Sequence, residues 1–241
     1  MNILRWLGIV GPKKHDREAL SIYSERIGST RVADRDGVKV VDYRKPDGSF
    51  DYEAYKAIQT AANKAKIDWL SVQEVNIAYL CDTLKKRGVQ IKKVLCHGTR
   101  NGAEQKYFHN ASGADVLGTE ISDTATQFPM TIQWDFHEVK PEWNGAWDVV
   151  FSNSWDHAFD PRKAIGNWLT CVRPGGALVV EWSKIHAETK ANPIDPFRAT
   201  RPALLALLES LTANGGYAKP EIIGDLPDAS HERVYIAVFR K

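Results

Sequence analysis

The sequence predicts an α/β fold. A mostly parallel, seven-stranded sheet carries helices on both faces, ends in a C-terminal antiparallel hairpin and follows a mostly helical N-terminal cap. Three observations carry this expectation. From residue 68 onward, short apolar runs alternate with stretches of helical periodicity, the pattern of a parallel sheet with crossover helices. The run Val94-Leu95-Cys96 passes through a glycine turn, His97-Gly98-Thr99-Arg100-Asn101-Gly102, into a helix start, and the next run ends in Gly118-Thr119-Glu120-Ile121. Finally, residues 221–223 and 234–239 read as two strands whose connector is too short for a crossover helix, so they return antiparallel.

Taken in order, residues 1–66 form a cap or dimerisation region, with residues 16–26 and 52–66 helical, 37–43 a strand, and Pro46-Asp47-Gly48 a turn. A sharper alternative makes this region a lid over a pocket. The apolar start, residues 1–10, is broken at Gly11-Pro12 and lacks a small-residue cleavage site, so it does not read as a signal peptide. Ser71-x-x-Glu74 forms a capping box ahead of a helix carrying Ile77, Leu80, Cys81 and Leu84. Strands are expected at 91–96, 115–121, 130–136, 147–152 and 177–182, with a helix over 101–109 after the glycine turn. Val149-Val150-Phe151 is continuously apolar, as for a strand covered on both faces. Asp160-Pro161 is an N-cap followed by proline at the first helical position. Ala164, Ile165, Trp168, Leu169 and Val172 form the buried stripe, Pro174-Gly175-Gly176 is the stop, and 202–214 is a leucine-rich helix.

Composition sets the outer limits. The 241 residues accommodate one large α/β domain with an appendage, 43% hydrophobic residues suffice for a core, and 26% charged residues suit a soluble surface. A formal net charge of +2 gives no strongly basic face for nucleic acid. No run reaches the roughly 18 apolar residues of a membrane span. Cys81, Cys96 and Cys171 are scattered in apolar contexts, which points to buried free thiols and a cytoplasmic, reducing compartment. No metal-ligand cluster stands out in the sequence.

The glycine turn lets backbone approach a ligand, and Glu120 follows it at about the 20-residue offset of a carboxylate that holds ribose hydroxyls. Together these features resemble the class I S-adenosylmethionine-dependent methyltransferases, a Rossmann-like family, over residues 68–241. Cys96 through Gly102 lies where that family carries its acidic-x-Gly-x-Gly-x-Gly turn. Gln133-Trp134-Asp135-Phe136 looks like the adenine-contacting strand end, and residues 147–154 look like the fourth strand with its active-site loop. Arg173-Pro174-Gly175-Gly176-Ala177-Leu178 is similar to the turn before the fifth strand. Two departures mark a variant glycine-loop subgroup: Cys96 stands at the first acidic position and Arg100 at the middle glycine. Glu104, one helical turn in, would stand in for the missing acid; its other reading is a first-turn carboxylate that complements the helix dipole.

The resemblance implies S-adenosylmethionine as cofactor and residues 67–241 as the domain that binds it. His97, Gly98, Thr99, Asn101, Gly102 and Glu104 would line it from the turn, although His97 reads equally as a structural histidine. Glu120, with Ile121, would hold the ribose, Asp135 and Phe136 the adenine, while Asn153 and Ser154 would contact the cofactor from the loop that faces the transferable methyl. Methyl transfer rests mainly on alignment of nucleophile, methyl and sulfur. A hydroxyl acceptor also requires a base, and His157, with Asp156 as orienter or alternate base, stands in the loop that would face the methyl. The bland reading of this loop is a capped surface turn. The segment 183–201, containing His186, Asn192, Asp195 and Phe197, suggests a small polar acceptor such as a sugar or hydroxylated metabolite. The expected partners are that small molecule and, through the N-terminal region, a second copy of the chain, with neither nucleic acid nor membrane. A methyltransferase-like protein that binds a nucleoside or a partner without catalysis is the competing reading. A nicotinamide dehydrogenase would need a fuller glycine fingerprint and no terminal hairpin.

Overall fold

The computed structural model describes residues 16–213, 215–227 and 232–241. The apolar start at residues 1–10, Asn214 and most of the tip of the terminal hairpin lie outside them. In chain order the elements are α1 (Arg17–Arg26), β1 (Val32–Arg35), β2 (Val38–Val41), α2 (Tyr52–Ala65), α3 (Glu74–Lys86), β3 (Lys93–His97), α4 (Ala103–Ser112) and β4 (Asp115–Glu120). They continue with β5 (Thr131–Gln133), β6 (Trp147–Ser152), α5 (Pro161–Cys171), β7 (Val172–Ser183) and α6 (Lys184–Glu188). The chain closes with β8 (Phe197–Ala199), α7 (Arg201–Thr212), β9 (Glu221–Asp225) and β10 (Arg233–Phe239).

Seven strands form the expected sheet in the order β5-β4-β3-β6-β7-β10-β9. β5, β4, β3, β6 and β7 pair in parallel, and β10 is antiparallel to both β7 and β9. Alternation of side chains explains why the central strands are apolar throughout. Leu95, Val150, Leu178 and Val180 face one way, onto Trp168, Leu169, Leu204 and Leu208 of α5 and α7. Val94, Cys96, Phe151, Val179 and Tyr235 face the other way, onto Leu80 and Leu84 of α3 and Phe108 of α4.

Where boundaries move, local hydrogen bonding explains it. The capping box at Ser71 does not form: α3 begins at Glu74 behind Gln73, which makes no side-chain cap. Ser71 Oγ accepts from Arg100, and Glu74 accepts from Asn110 at 2.7 Å. α4 starts at Ala103 rather than 101 because Arg100 and Gly102 hold left-handed backbone angles, φ 42° and 77°, that a right-handed helix excludes. β5 ends at Gln133 because Asp135 Oδ1 accepts the His137 amide at 2.9 Å and turns the chain. β7 starts earlier than expected, at Val172, where that residue pairs with Trp147.

At α5 the expected cap is present. Asp160 accepts from the Lys163 amide at 3.0 Å, with Pro161 at the first helical position. Asp160→Ala should lower stability by about 1 kcal/mol, the usual worth of an N-cap. Urea denaturation checks this, and an unchanged midpoint would remove the cap from the account.

Among the described residues of the N-terminal region, α1 and α2 flank the β1–β2 hairpin, which pairs with β8 in a small antiparallel sheet, β1-β2-β8. The cap is therefore a composite, completed by residues 183–200. Its core packs Tyr23, Tyr43, Tyr55 and Ile58 with Ile194. Buried polar bonds tie it down: Tyr55 Oη donates to the His157 carbonyl at 3.0 Å, and Gln59 donates to the Ile194 carbonyl at 3.0 Å.

Candidate active site

The carboxyl ends of β3, β4, β5 and β6 open into a crevice. Gly98, Arg100, Glu120, Ile121, Asp135, Phe136, Ser154 and His157 line it from the sheet side. The opposite wall is one face of α2: Tyr55, Gln59, Ala62, Asn63 and Lys66. These five recur at helical spacing, so the signal was present in the sequence as a stripe of polar and small residues rather than an apolar one. The N-terminal region thus contributes one wall of this crevice.

Glu120 ends β4 inside the crevice. Its Oε2 accepts the Arg100 amide and its Oε1 the Ser122 amide, each at 3.0 Å. Burial pushes this carboxyl up and the two amides partly offset that. Each carboxylate oxygen has room for a second donor, so two remain for a diol. Asp135 follows β5. Its Oδ1 takes the His137 amide and Nδ1, the latter at 2.7 Å, and its Oδ2 takes the Tyr52 hydroxyl at 2.8 Å. Burial raises the Asp135 carboxyl, yet the His137 and Tyr52 bonds hold it below the usual range, so it stays an ionised acceptor. One acceptor position on Oδ2 is left for an amino group. Phe136 presents its ring beside it, backed edge-on by Trp168 at 5.3 Å between centroids.

The glycine turn is held from below. Gly98 and Thr99 amides donate to the Thr119 carbonyl at 2.9 and 3.1 Å. Gln105, which the sequence reading missed, donates to the hydroxyls of Thr99 and Thr131, each at 2.9 Å. It lies over Gly118, where any Cβ would sit 1.7 Å from its amide nitrogen. Gly98 has φ 74°, and a Cβ there would lie 2.6 Å from Ser154 Cβ. Its bareness thus serves contact with Ser154, whose hydroxyl donates to the Gly98 carbonyl at 2.9 Å.

Other residues of the turn play supporting parts. His97 is not on the crevice wall: it is buried, stacks on Trp168 at 5.1 Å and bonds Thr119 at 2.9 Å. Burial drives its pKa down to about 3, so it is neutral. Thr99 is buried beneath the wall, and Asn101 turns away to donate to the Ile67 carbonyl at 2.8 Å. Gly102 packs against Phe128 and serves the helix entry. Glu104 is buried, accepts from Asn153 Nδ2 at 3.2 Å through Oε1, and leaves Oε2 without a partner. Its pKa is pushed up to about 7, chiefly by burial.

Where His157 borders the crevice, a charged cluster adjoins it. His157 Nδ1 faces two acceptors, Gln59 Oε1 at 2.9 Å and the Ile194 carbonyl at 3.0 Å, so Nδ1 carries a hydrogen and Nε2 is the open nitrogen. Asp156 Oδ1 and Asp195 Oδ1 each lie 3.8 Å from Nε2. Arg198 spans both carboxylates, pairing with Asp156 and, at 2.8 Å, with Asp195. Against the upward push of burial, His157, His186 and Arg198 hold the Asp156 carboxyl well below the usual range. His186, brought to about 4 by burial, is neutral and 3.7 Å from Asp156. Ligand atoms of Asp156, His157 and Asp195 fall within 4.8 Å of one another, a grouping the sequence did not reveal because Asp195 comes from the distant 183–200 connection. Arg198 already supplies the positive charge that this pair of carboxylates requires.

No protein-family model matches the chain, and no curated protein matches it by sequence. Solved structures match its fold. The 1,6-didemethyltoxoflavin-N1-methyltransferase of Burkholderia thailandensis, bound to 1,6-didemethyltoxoflavin and S-adenosylhomocysteine, is 14% identical with a TM-score of 0.57, over 88% of this chain and 99% of that one. The plantazolicin methyltransferase BpumL, in complex with S-adenosylhomocysteine, is 10% identical with a TM-score of 0.54, over 70% and 83%. A putative methyltransferase from Haloferax volcanii, in complex with the Trm112 activator, is 16% identical with a TM-score of 0.53, over 77% and 97%. The fold is that of the class I methyltransferases. Among the described residues no helix is long and apolar enough to cross a membrane.

Proposed function

We propose that the chain is an S-adenosylmethionine-dependent methyltransferase acting on a small polar acceptor, a hydroxyl of a sugar or metabolite. One observation carries this reading: ionisable acceptors stand at the ends of two adjacent strands, Glu120 closing β4 and Asp135 just after β5, and both face one crevice beside Gly98 and Phe136. Their remaining acceptor positions suit a ribose diol and an adenine amino group. Two of the similar structures carry S-adenosylhomocysteine. When bound, the cofactor supplies an activated methyl group.

The chain's own residues do the rest. Glu120 and Asp135 orient the nucleoside, Phe136 covers its base, and α2 excludes water from above. His157 takes the acceptor proton at Nε2. Its Nδ1 hydrogen is held by Gln59 and the Ile194 carbonyl, and the imidazolium that forms is stabilised by the carboxylates of Asp156 and Asp195. Asp156, kept ionised by Arg198, positions this ring and is too weak a base to replace it. Calorimetric titration with S-adenosylmethionine is the primary test, with one site per chain expected and no heat of binding fatal to the reading. Binding without methyl transfer to any hydroxylated acceptor would favour the non-catalytic nucleoside-binding alternative.

Glu120→Ala should weaken cofactor binding by roughly 1.5–3 kcal/mol, the scale of hydrogen bonds to a charged group. A folded variant with native affinity would take Glu120 out of the site.

A further inference from the structure

We infer that Arg100 and Glu104 together form a receptor for the zwitterionic amino-acid end of the cofactor, Arg100 taking its carboxylate and Glu104 its ammonium. This rests on the methyltransferase reading and adds to it the side chain that replaces a glycine of the turn.

The strand order sets the direction. With adenine at the end of β5 and ribose at the end of β4, the arm beyond the ribose runs over β3 toward β6. The charged residues of the turn and of the start of the helix it enters are Arg100 and Glu104, the latter buried behind the crevice wall against Asn153. Arg100 lies on the crevice wall. Its guanidinium donates only to neutral oxygens, the Trp69 carbonyl at 3.1 Å and Ser71 Oγ at 3.2 Å, and pairs with no carboxylate among the described residues. A guanidinium with free donors beside a ligand crevice is suited to a carboxylate, which it grips with two parallel bonds. Its backbone is held at φ 42°, with the amide turned to Glu120, so ribose support and the guanidinium come from one residue.

Glu104 is the complementary half. It is buried, only its Oε1 is engaged, by Asn153 at the carboxyl end of β6, and Oε2 has no partner. A buried carboxylate oxygen left unpaired is costly and calls for a donor. The raised Glu104 pKa, about 7, leaves a carboxyl only partly ionised near neutral pH, which an ammonium partner would bring fully to its ionised form.

The test compares S-adenosylhomocysteine with 5′-methylthioadenosine, which keeps the nucleoside and lacks the amino-acid end, by calorimetry on the full chain. Arg100→Met and Glu104→Gln should each weaken S-adenosylhomocysteine about 10–100-fold at pH 8, the range of one to two charged bonds. Binding of 5′-methylthioadenosine should stay unchanged, and Arg100→Lys should recover part of the loss. Wild-type affinity for S-adenosylhomocysteine should rise as pH passes upward through about 7, where free Glu104 ionises, and Glu104→Gln should flatten that rise. Equal losses for both ligands, or none for either, in variants with native melting temperatures would overturn the inference and leave the methyltransferase reading standing. If neither ligand binds the wild type, it is that reading which fails.

Discussion

His157→Ala should lower turnover by about 10²–10⁴-fold, the usual size of a general-base contribution, while affinity for S-adenosylhomocysteine hardly changes. The split follows from where the ring sits. His157 borders the crevice on the side of the charged cluster, while the groups assigned to ribose and adenine stand on β4 and β5. Its Nδ1 contacts fix the tautomer, leaving Nε2 toward the carboxylates and able to receive a proton. Truncation leaves the backbone carbonyl that Tyr55 bonds, so the cap keeps its anchor on this loop. Asp156→Asn should cost less than removal of the ring, because Asp195 still faces Nε2 at 3.8 Å. The measurement is single-turnover methyl transfer to the true acceptor, with melting temperature as control. A folded His157→Ala enzyme at full rate would end the base assignment and leave alignment alone to account for the chemistry.

The sheet was legible in the sequence because its signals are local. Val149-Val150-Phe151 and Ala177 to Trp182 are apolar on both faces, and a strand covered on both faces has no other pattern. The Gly98-to-Glu120 spacing was legible because a strand, a turn, a helix and a strand fix the offset between the turn after β3 and the end of β4. Less visible were relations that depend on distant chain segments. Arg198 and Asp195 join Asp156 and His157 only because β8 extends the small sheet of the cap, a pairing across about 160 residues that no local pattern encodes. Ser71 looked like a helix cap, yet the guanidinium of Arg100 competes for its hydroxyl, and a charged donor wins over a neutral amide. His97 stacks on Trp168 of α5, a contact with a distant segment that no local pattern encodes.

Gly98→Val should abolish binding of S-adenosylhomocysteine, with a loss beyond about 100-fold, while leaving a cooperative unfolding transition. Two independent costs meet at this residue. At φ 74° the backbone is in the left-handed region, which a β-branched side chain resists by roughly 1–2 kcal/mol or more. A Cβ would also lie 2.6 Å from Ser154 Cβ and 3.1 Å from its hydroxyl, well inside contact distance. The turn and the loop after β6 would have to part, breaking the Ser154-to-Gly98 hydrogen bond that closes this end of the crevice. The displaced turn would carry the Arg100 amide away from Glu120 and alter the ribose acceptor itself. The hydrophobic layers on both faces of the sheet do not include Gly98, so the fold should survive. Ser154→Gly in the Gly98→Ala background separates the two costs, since it removes the clashing atoms and leaves the backbone strain. Partial recovery of affinity in that double variant is expected. Native affinity in Gly98→Val itself would mean that the turn does not border the cofactor.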